Sequence, residues 1–451
     1  MKSDVVIIGG SAAGIMAAVT LRKRTPEKSV TVIKNIAKTP VPCGIPYIYG
    51  IMGSVEKDLI PDQGFIDQGI DLRPGNVTEI DRTNKEVVLD DGSRIAYGKL
   101  IIGTGSKPFV PPLPGIDKGN IFSISKDPSY LQQIYTALEP AQNVVVIGGG
   151  FIGVEMAEQI MEMGTKAGRK KNVTIVEMLP RCLMLACEEE FCIEVEKELE
   201  NIGITIKTNC QAQELTGEEN VSGVKLADGE ILPADVVVIG IGAQANIGLA
   251  QECGLDADPR AGIKVDEYMQ TSDPDIFAAG DCTSKFSHIT GQPSGIRLAS
   301  VACCEGMVAA SNLYEKKRKT LGALGAFSTV VGKRAVAAAG LSSKAAADAG
   351  IDFIVGEVTA PNRHPGHLPG SIPDMKIKLI FRKDNGEVIG GHVSGGEAAA
   401  DMVNIIAVAI QTHLTAEQIA VMQYATHPLL TSSPLSYHVM LAAENAAVKL
   451  N

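Results

Sequence analysis

Cys43 stands alone in the stretch KTPVPCGIPY, residues 38 to 47, among three prolines and a glycine. A thiol in so stiff a setting is either packed core or a nucleophile held in one direction, and the stretch by itself leaves both readings open. Two glycine clusters offer a different chemistry. Gly9, Gly10 and Gly14 lie in DVVIIGGSAAGIMAA, with Ser11 in the place of the usual second glycine and Ala12 after it. Gly148, Gly150 and Gly153 lie in NVVVIGGGFIGVEMA, with Ile152 and Glu155 in the opening of the helix. A backbone without Cβ lets a pyrophosphate approach, and the positive end of the following helix holds it.

Charged residues beyond each turn set the sugar contacts. Glu177 ends VTIVE, 24 residues beyond Gly153. A carboxylate there accepts hydrogen bonds from a 2′-hydroxyl and repels a 2′-phosphate, so NADH is favoured over NADPH, a preference moderated by Arg181 and the nearby GRKK. After the first turn the same place holds Lys34 and then Asn35, a departure that leaves Asn35 as the substitute. Asp281, in IFAAGD, follows a strand end, where it either holds a sugar or ribityl hydroxyl or caps a helix. Glu155 either faces a nicotinamide or lies on the surface.

Positioning these residues requires two copies of one design. Each glycine turn sits between a β-branched strand and a helix, each is followed by a second strand (VTVIKN, VTIVEM), and each unit ends on a strand running into glycines. Those endings are LIIGTG, with Thr104 and Gly105, and VVIGIG, with Gly242; Gly14 to Gly105 is 91 residues and Gly153 to Gly242 is 89. Asp-Gly hairpins, NKEVVLDDGSRIAYGKLIIG and VSGVKLADGEILPADVVVIG, return the chain to each parallel sheet. From residue 322 the texture changes to period-two alternation around an Asn-Gly turn and then to the helical EAAADMVNIIAVAIQT. The expected fold is α/β: two Rossmann-like nucleotide-binding domains and a C-terminal α+β domain. The boundaries are 1–115 with 250–321, then 116–249, then 322–451.

Composition narrows the partners. With 41 basic against 52 acidic residues the net charge is −11, which disfavours nucleic acid and anionic membrane. Lys2 and the apolar start imitate a signal peptide, but Asp4 and the glycines interrupt it, and no apolar run is long enough to span a bilayer. Nine cysteines without CxxC spacing suit a reducing cytoplasm and neither a disulfide scaffold nor a zinc site. Cys182, Cys187 and Cys192, and the pair Cys303 and Cys304, read as core. HPGHLPG, with His364 and His367, reads as a rigid turn, so no metal is expected.

Taken together, the first glycine turn, TGSKP, the second turn with Glu177, IFAAGD and the C-terminal YATHP resemble the FAD-dependent pyridine nucleotide-disulfide oxidoreductases over essentially the whole chain. PVPCGIPY is similar to their single-cysteine branch of NADH oxidases, NADH peroxidases, coenzyme A-disulfide reductases and persulfide or polysulfide reductases; the CxxxxC partner of the two-cysteine branch is here Ile48. The resemblance implies FAD at the first turn, NADH at the second, and Cys43 as a nucleophile at the flavin near the start of a helix whose dipole lowers its pKa. It also implies a homodimer in which His427, or else Tyr424, of the partner subunit serves as general acid. The histidine that the family's peroxidases carry in the first turn is here Ala12, which argues against peroxide chemistry. Arg22 and Lys23, at the end of the first helix, match the place that meets coenzyme A phosphates, or they form a solvated helix end; Thr39 is added to the substrate contacts.

Two features depart from the family: Leu429 stands where the coenzyme A-disulfide reductases have a tyrosine, and Ser432 where a glutamate orients the histidine of the two-cysteine reductases. The implied activity is reduction of coenzyme A disulfide, coenzyme A persulfide or polysulfide by NADH. An NADH oxidase is the alternative within the family. A reductase feeding a protein electron carrier and an NADH-sensing flavin protein without turnover are the alternatives from other classes. The appended sulfur-carrier domain of some persulfide reductases is not expected after ENAAVKLN.

Overall fold

The computed structural model describes residues 1–450. By compactness the chain forms two units, Met1–Pro111 with Ser123–Ala137 and Ile241–Ala323, and Pro112–Phe122 with Leu138–Gly240 and Leu324–Asn451.

The first unit is built on strands β1 (Lys2–Ile8), β2 (Val30–Lys34), β3 (Asp71–Pro74), β4 (Val77–Asp81), β5 (Glu86–Leu89) and β6 (Arg94–Ile102), in the spatial order β3-β2-β1-β6-β5-β4, with Ile276–Ala278 also pairing to β6. β1 runs parallel to both β2 and β6. Its valines and isoleucines are buried on both faces, which is why it reads as an unbroken apolar run and not as an alternation. The Asp-Gly hairpin is present as β5 and β6, antiparallel with Val87 opposite Ile95. Helix α1 (Ala12–Arg24) buries Ala13, Gly14, Ala17 and Ala18 and packs on the helix Ala299–Asn312. Small residues allow that approach: a Cβ added at Gly306 would stand 2.3 Å from the Ala13 carbonyl oxygen.

In the second unit the strands Thr205–Lys207, Asn172–Val176, Asn143–Ile147 and Val236–Ile239 lie side by side and parallel in that order. The second Asp-Gly hairpin forms as Val221–Leu226 and Ile231–Pro233. The C-terminal segment folds into five antiparallel strands ordered Ala326–Val331, Arg334–Gly340, Val388–Gly395, Met375–Arg382 and Phe353–Ala360, covered by Ala398–Gln411 and His438–Leu450. Half-buried ion pairs tie this sheet to the helix Glu189–Asn201 and the residue before it. Arg334 and Lys376 meet Glu194 at 3.1 and 2.8 Å, and Lys378 meets Glu188 and Glu190 at 2.9 and 2.8 Å. Phe151 stacks on Phe327 with ring centroids 5.2 Å apart. Among the described residues no helix is long and apolar enough to cross a membrane.

Candidate active site

Both glycine turns are made alike. A Cβ at Gly14 would lie 1.9 Å from the Gly9 carbonyl oxygen, and one at Gly153 would lie 1.8 Å from that of Gly148, so each helix enters directly over its strand. The N-caps are Ser11 and Gly150, and neither supplies a side-chain hydrogen bond to the first turn of its helix. The N–H groups there are left for an anion, which is the arrangement a dinucleotide pyrophosphate fits.

Beyond the first turn, Lys34 is directed inward. Its Cβ and Cδ lie beneath Gly10, and its ammonium holds both oxygens of Asp62 at 2.6 Å. A carboxylate is therefore present on this side of the turn, supplied by a loop residue 28 positions away and not by the end of β2, while Asn35 is exposed. Thr104 exchanges hydrogen bonds with Asn246, its hydroxyl donating to the carbonyl at 2.7 Å and its own carbonyl accepting from the amide at 2.9 Å. That pair fixes the turn carrying Gly105.

Asp281 accepts from the Ser106 hydroxyl at 2.8 Å, and Lys126 stands 3.9 Å away. No helix begins within the next ten residues, so the helix-cap reading falls. Behind this loop is a buried polar network that the sequence reading missed. Lys285 donates to the Gly280 carbonyl (2.7 Å), the Thr283 hydroxyl (2.8 Å) and Glu305 (2.9 Å), while Gly280 N–H and Thr283 hydroxyl donate to the same Glu305 oxygen. Burial pushes the Glu305 pKa up and its partners pull it back. The signal in the sequence is that Glu305 is the one charged residue of ASVACCEGMVAASN.

At the second turn Glu177 is nearly buried and engaged on both oxygens, accepting from Gly149 N–H at 2.6 Å and Leu179 N–H at 2.7 Å. Three of the neighbouring cations are committed elsewhere, while Lys170 is exposed. Arg181 pairs with Glu196 at 3.1 Å and Glu189 at 3.4 Å, Lys171 is buried on the carbonyls of Leu138 and Ala141, and Arg169 donates to the Glu139 carbonyl. Glu155 accepts from the Thr329 hydroxyl at 2.8 Å, and burial pushes its pKa up to about 7. Ile152 is exposed beside it.

Cys43 is exposed. Its loop is fixed at three points: the Thr39 hydroxyl donates to the Gly10 carbonyl at 3.2 Å, Val41 N–H to the Asp58 carbonyl at 2.8 Å, and Gly44 N–H to the Val41 carbonyl at 2.8 Å. Thr39 is thus a buried anchor of the loop. The helix that follows is a single 3-10 turn, Ile45–Ile48, too short for the dipole invoked from the family resemblance. Beneath Gly44 lies Asp58: a Cβ on that glycine would stand 1.9 Å from its Oδ1. Asp58 is 4% exposed, and its Oδ2 is buried without a hydrogen-bond partner among the described residues. Loss of hydration pushes its pKa up to about 6.

Other assignments change. Arg22 donates to the Gln68 carbonyl at 2.9 Å and the Lys28 carbonyl at 2.8 Å, so its guanidinium bridges backbone, while Lys23 is exposed. Cys303 is half-buried and Cys304 exposed, not core. Cys182 and Cys187 are buried, and loss of hydration lifts both thiols to about 12. Tyr424 donates its hydroxyl to the Pro434 carbonyl at 2.9 Å and stacks on Tyr437. His427 is exposed, and its Nδ1 accepts from Leu429 N–H at 3.3 Å. Ser432 serves another histidine, the buried His438, whose Nδ1 it meets at 3.2 Å while Nε2 faces the Ala360 and Met375 carbonyls. His364 Nδ1 lies 3.1 Å from the Thr431 carbonyl, and no cluster of metal-ligating side chains occurs among the described residues.

A family model described as pyridine nucleotide-disulphide oxidoreductase matches residues 3–306, and its dimerisation domain matches 326–436. An NADH oxidase of Methanocaldococcus jannaschii is 32% identical over 463 residues, covering 99% of each chain. A NAD(P)H coenzyme A polysulfide/persulfide reductase of Pyrococcus horikoshii is 32% identical over 408 residues, covering 88% of each. The structure of reduced CoADR-RHD from Bacillus anthracis superposes with a TM-score of 0.91 at 28% identity, over 100% of this chain and 81% of that one.

Proposed function

Because the chain belongs to the pyridine nucleotide-disulphide oxidoreductase family, as an oxidoreductase with a flavin and a nicotinamide site, we propose that it is an NADH-dependent reductase of coenzyme A disulfide, coenzyme A persulfide or polysulfide, working through Cys43. The observation that carries this reading is the exposed Cys43 thiol on a loop anchored to the first glycine turn through Thr39. The first turn, Thr104, Gly105 and Asp281 would hold FAD, which when bound would supply two-electron chemistry between a nicotinamide and sulfur.

The chain's own residues do the remaining work. The N–H groups after Gly150 hold the NADH pyrophosphate, and the Glu177 carboxylate repels a 2′-phosphate with no unpaired Arg181, Lys171 or Arg169 to offset it. Cys43 thiolate attacks the sulfur–sulfur bond, one sulfur joins Cys43 and the other leaves as a thiolate. His427 of the partner subunit protonates that leaving group. It is favoured over Tyr424, whose hydroxyl already donates to Pro434 and is stacked in place, whereas the His427 ring is exposed.

The test is anaerobic NADH oxidation with coenzyme A disulfide or coenzyme A persulfide as sole acceptor. Turnover by the natural protein and its loss in Cys43→Ser is the expected result. The second reading, an oxidase, is favoured by the relative named NADH oxidase that matches along its full length. Fast, Cys43-dependent NADH consumption with oxygen, and none with either coenzyme A compound, would establish that reading instead.

A further inference from the structure

The two glycine turns of the chain are built alike, and they differ at the residue that follows the second strand's apolar run. In each, the N–H of the first glycine donates to the carbonyl of the last apolar residue of that run, Gly9 to Ile33 at 2.8 Å and Gly148 to Val176 at 2.9 Å. The following residue then lies against the second glycine. A Cβ added at Gly149 would stand 3.1 Å from the Cβ of Glu177, and one added at Gly10 would stand 2.7 Å from the Cβ of Lys34. Lys34 thus occupies in the first turn the place that Glu177 holds in the second.

A lysine offers no acceptor to a sugar hydroxyl. Its ammonium instead holds both oxygens of Asp62 at 2.6 Å, with the lysine side chain 5% exposed and the aspartate side chain 31% exposed. Asp62 is the N-cap residue of the short helix Gln63–Ile66, yet its side chain makes no capping bond to that helix. A carboxylate has roughly four lone-pair sites and Lys34 takes two, so the open edge of Asp62 keeps acceptor capacity. The backbone leading to it is held in place. Ile60 N–H donates to the Thr39 carbonyl at 2.9 Å, Pro40 and Leu59 form an antiparallel bridge, and Val41 N–H donates to the Asp58 carbonyl at 2.8 Å.

We propose that Asp62 accepts hydrogen bonds from the adenosine ribose of the flavin dinucleotide at the first turn, with Lys34 as the residue that positions it. This rests on the assignment of FAD to that turn. The carboxylate reaches the sugar from the segment that also carries Cys43, and not from the end of the strand. Burial of Lys34 has its reason in this arrangement, since a buried ammonium is tolerated when its charge is paired and hydrogen-bonded. The pairing also fixes the carboxylate before a hydroxyl arrives, so little freedom is lost on binding. Glu177 is fixed by other means, accepting from the backbone N–H groups of Gly149 and Leu179.

The experiment titrates the full chain, freed of flavin, with FAD and with FAD carrying 2′-deoxyadenosine, and reads flavin fluorescence. In the natural protein the deoxy compound should bind about tenfold more weakly, the scale of a hydrogen bond to a charged acceptor. Lys34→Met combined with Asp62→Ala removes both charges together, leaves no orphaned ion, and should bind the two flavins equally. Lys34→Glu combined with Asp62→Ala sets a carboxylate where the second turn has Glu177, and should restore the preference. Asn35→Ala, at an exposed position, should keep it. An ion pair that only pinned the loop would weaken both flavins by the same factor. A tenfold preference surviving in the Lys34→Met, Asp62→Ala protein therefore overturns the assignment of Asp62, and so does its loss in Asn35→Ala, which would give the hydroxyl to Asn35. Equal affinities in the natural protein would overturn it too while leaving FAD at the first turn. Failure of the natural protein to bind either flavin would overturn the FAD assignment itself.

Discussion

Asp58 is a carboxylate held far from the solvated environment its type prefers. Its folded pKa of about 6 lies above the value of about 3.9 for an unfolded aspartate, so the native state holds the proton more tightly. Its contribution is full below the unfolded value and is lost as pH rises through about 6. Asp58→Asn keeps the shape of the neutral acid. It is expected to raise stability at pH 8 by about 1–2 kcal/mol and to change little at pH 4, as read from urea midpoints at the two pH values. Glu177 makes the opposite case of a carboxylate with both oxygens used. Glu177→Ala leaves Gly149 N–H without its charged acceptor, and KM for NADH is expected to rise about tenfold while NADPH loses its disadvantage. Unchanged cofactor preference in steady-state kinetics would remove Glu177 from the specificity role.

At the scale of elements, the packing of α1 on Ala299–Asn312 sets the first glycine turn. Gly306→Ala places a methyl group 2.3 Å from a backbone carbonyl, so the helices must separate, with an expected loss of about 1–3 kcal/mol. The flavin absorbance per protein should fall with it; full flavin content at unchanged stability would show that the turn tolerates the shift.

The strands, both glycine turns and the hairpins were legible in the sequence because they are written in local period and in Asp-Gly and Asn-Gly pairs. What was not legible lies in contacts between distant positions. Lys34 finds Asp62, Glu305 finds Lys285, and Ser432 orients His438 where His427 was expected to need a partner. Cys303 was read as core because its neighbours are apolar, and only the placement of its helix against Ala12 brings the sulfur to the turn. Burial of Asp58 has no period to announce it.

For the whole molecule, the match to a dimerisation domain and the proposed role of His427 give a prediction that one chain alone cannot satisfy. Cys43→Ser and His427→Asn are each expected to reduce turnover strongly. Unfolded together and reassembled, they form mixed dimers in which one of two sites has both residues intact, so roughly one quarter of natural activity should return. No recovery, with mixed dimers demonstrated by native mass spectrometry, would assign both residues to the same chain's site or remove His427 from the chemistry.

The polar network behind Asp281 closes on itself: Lys285, Glu305, Thr283 and the Gly280 backbone answer one another without any outside group. A closed ring has no spare partner, so the loss of any one member leaves the others unanswered, and the support behind Asp281 yields as a unit.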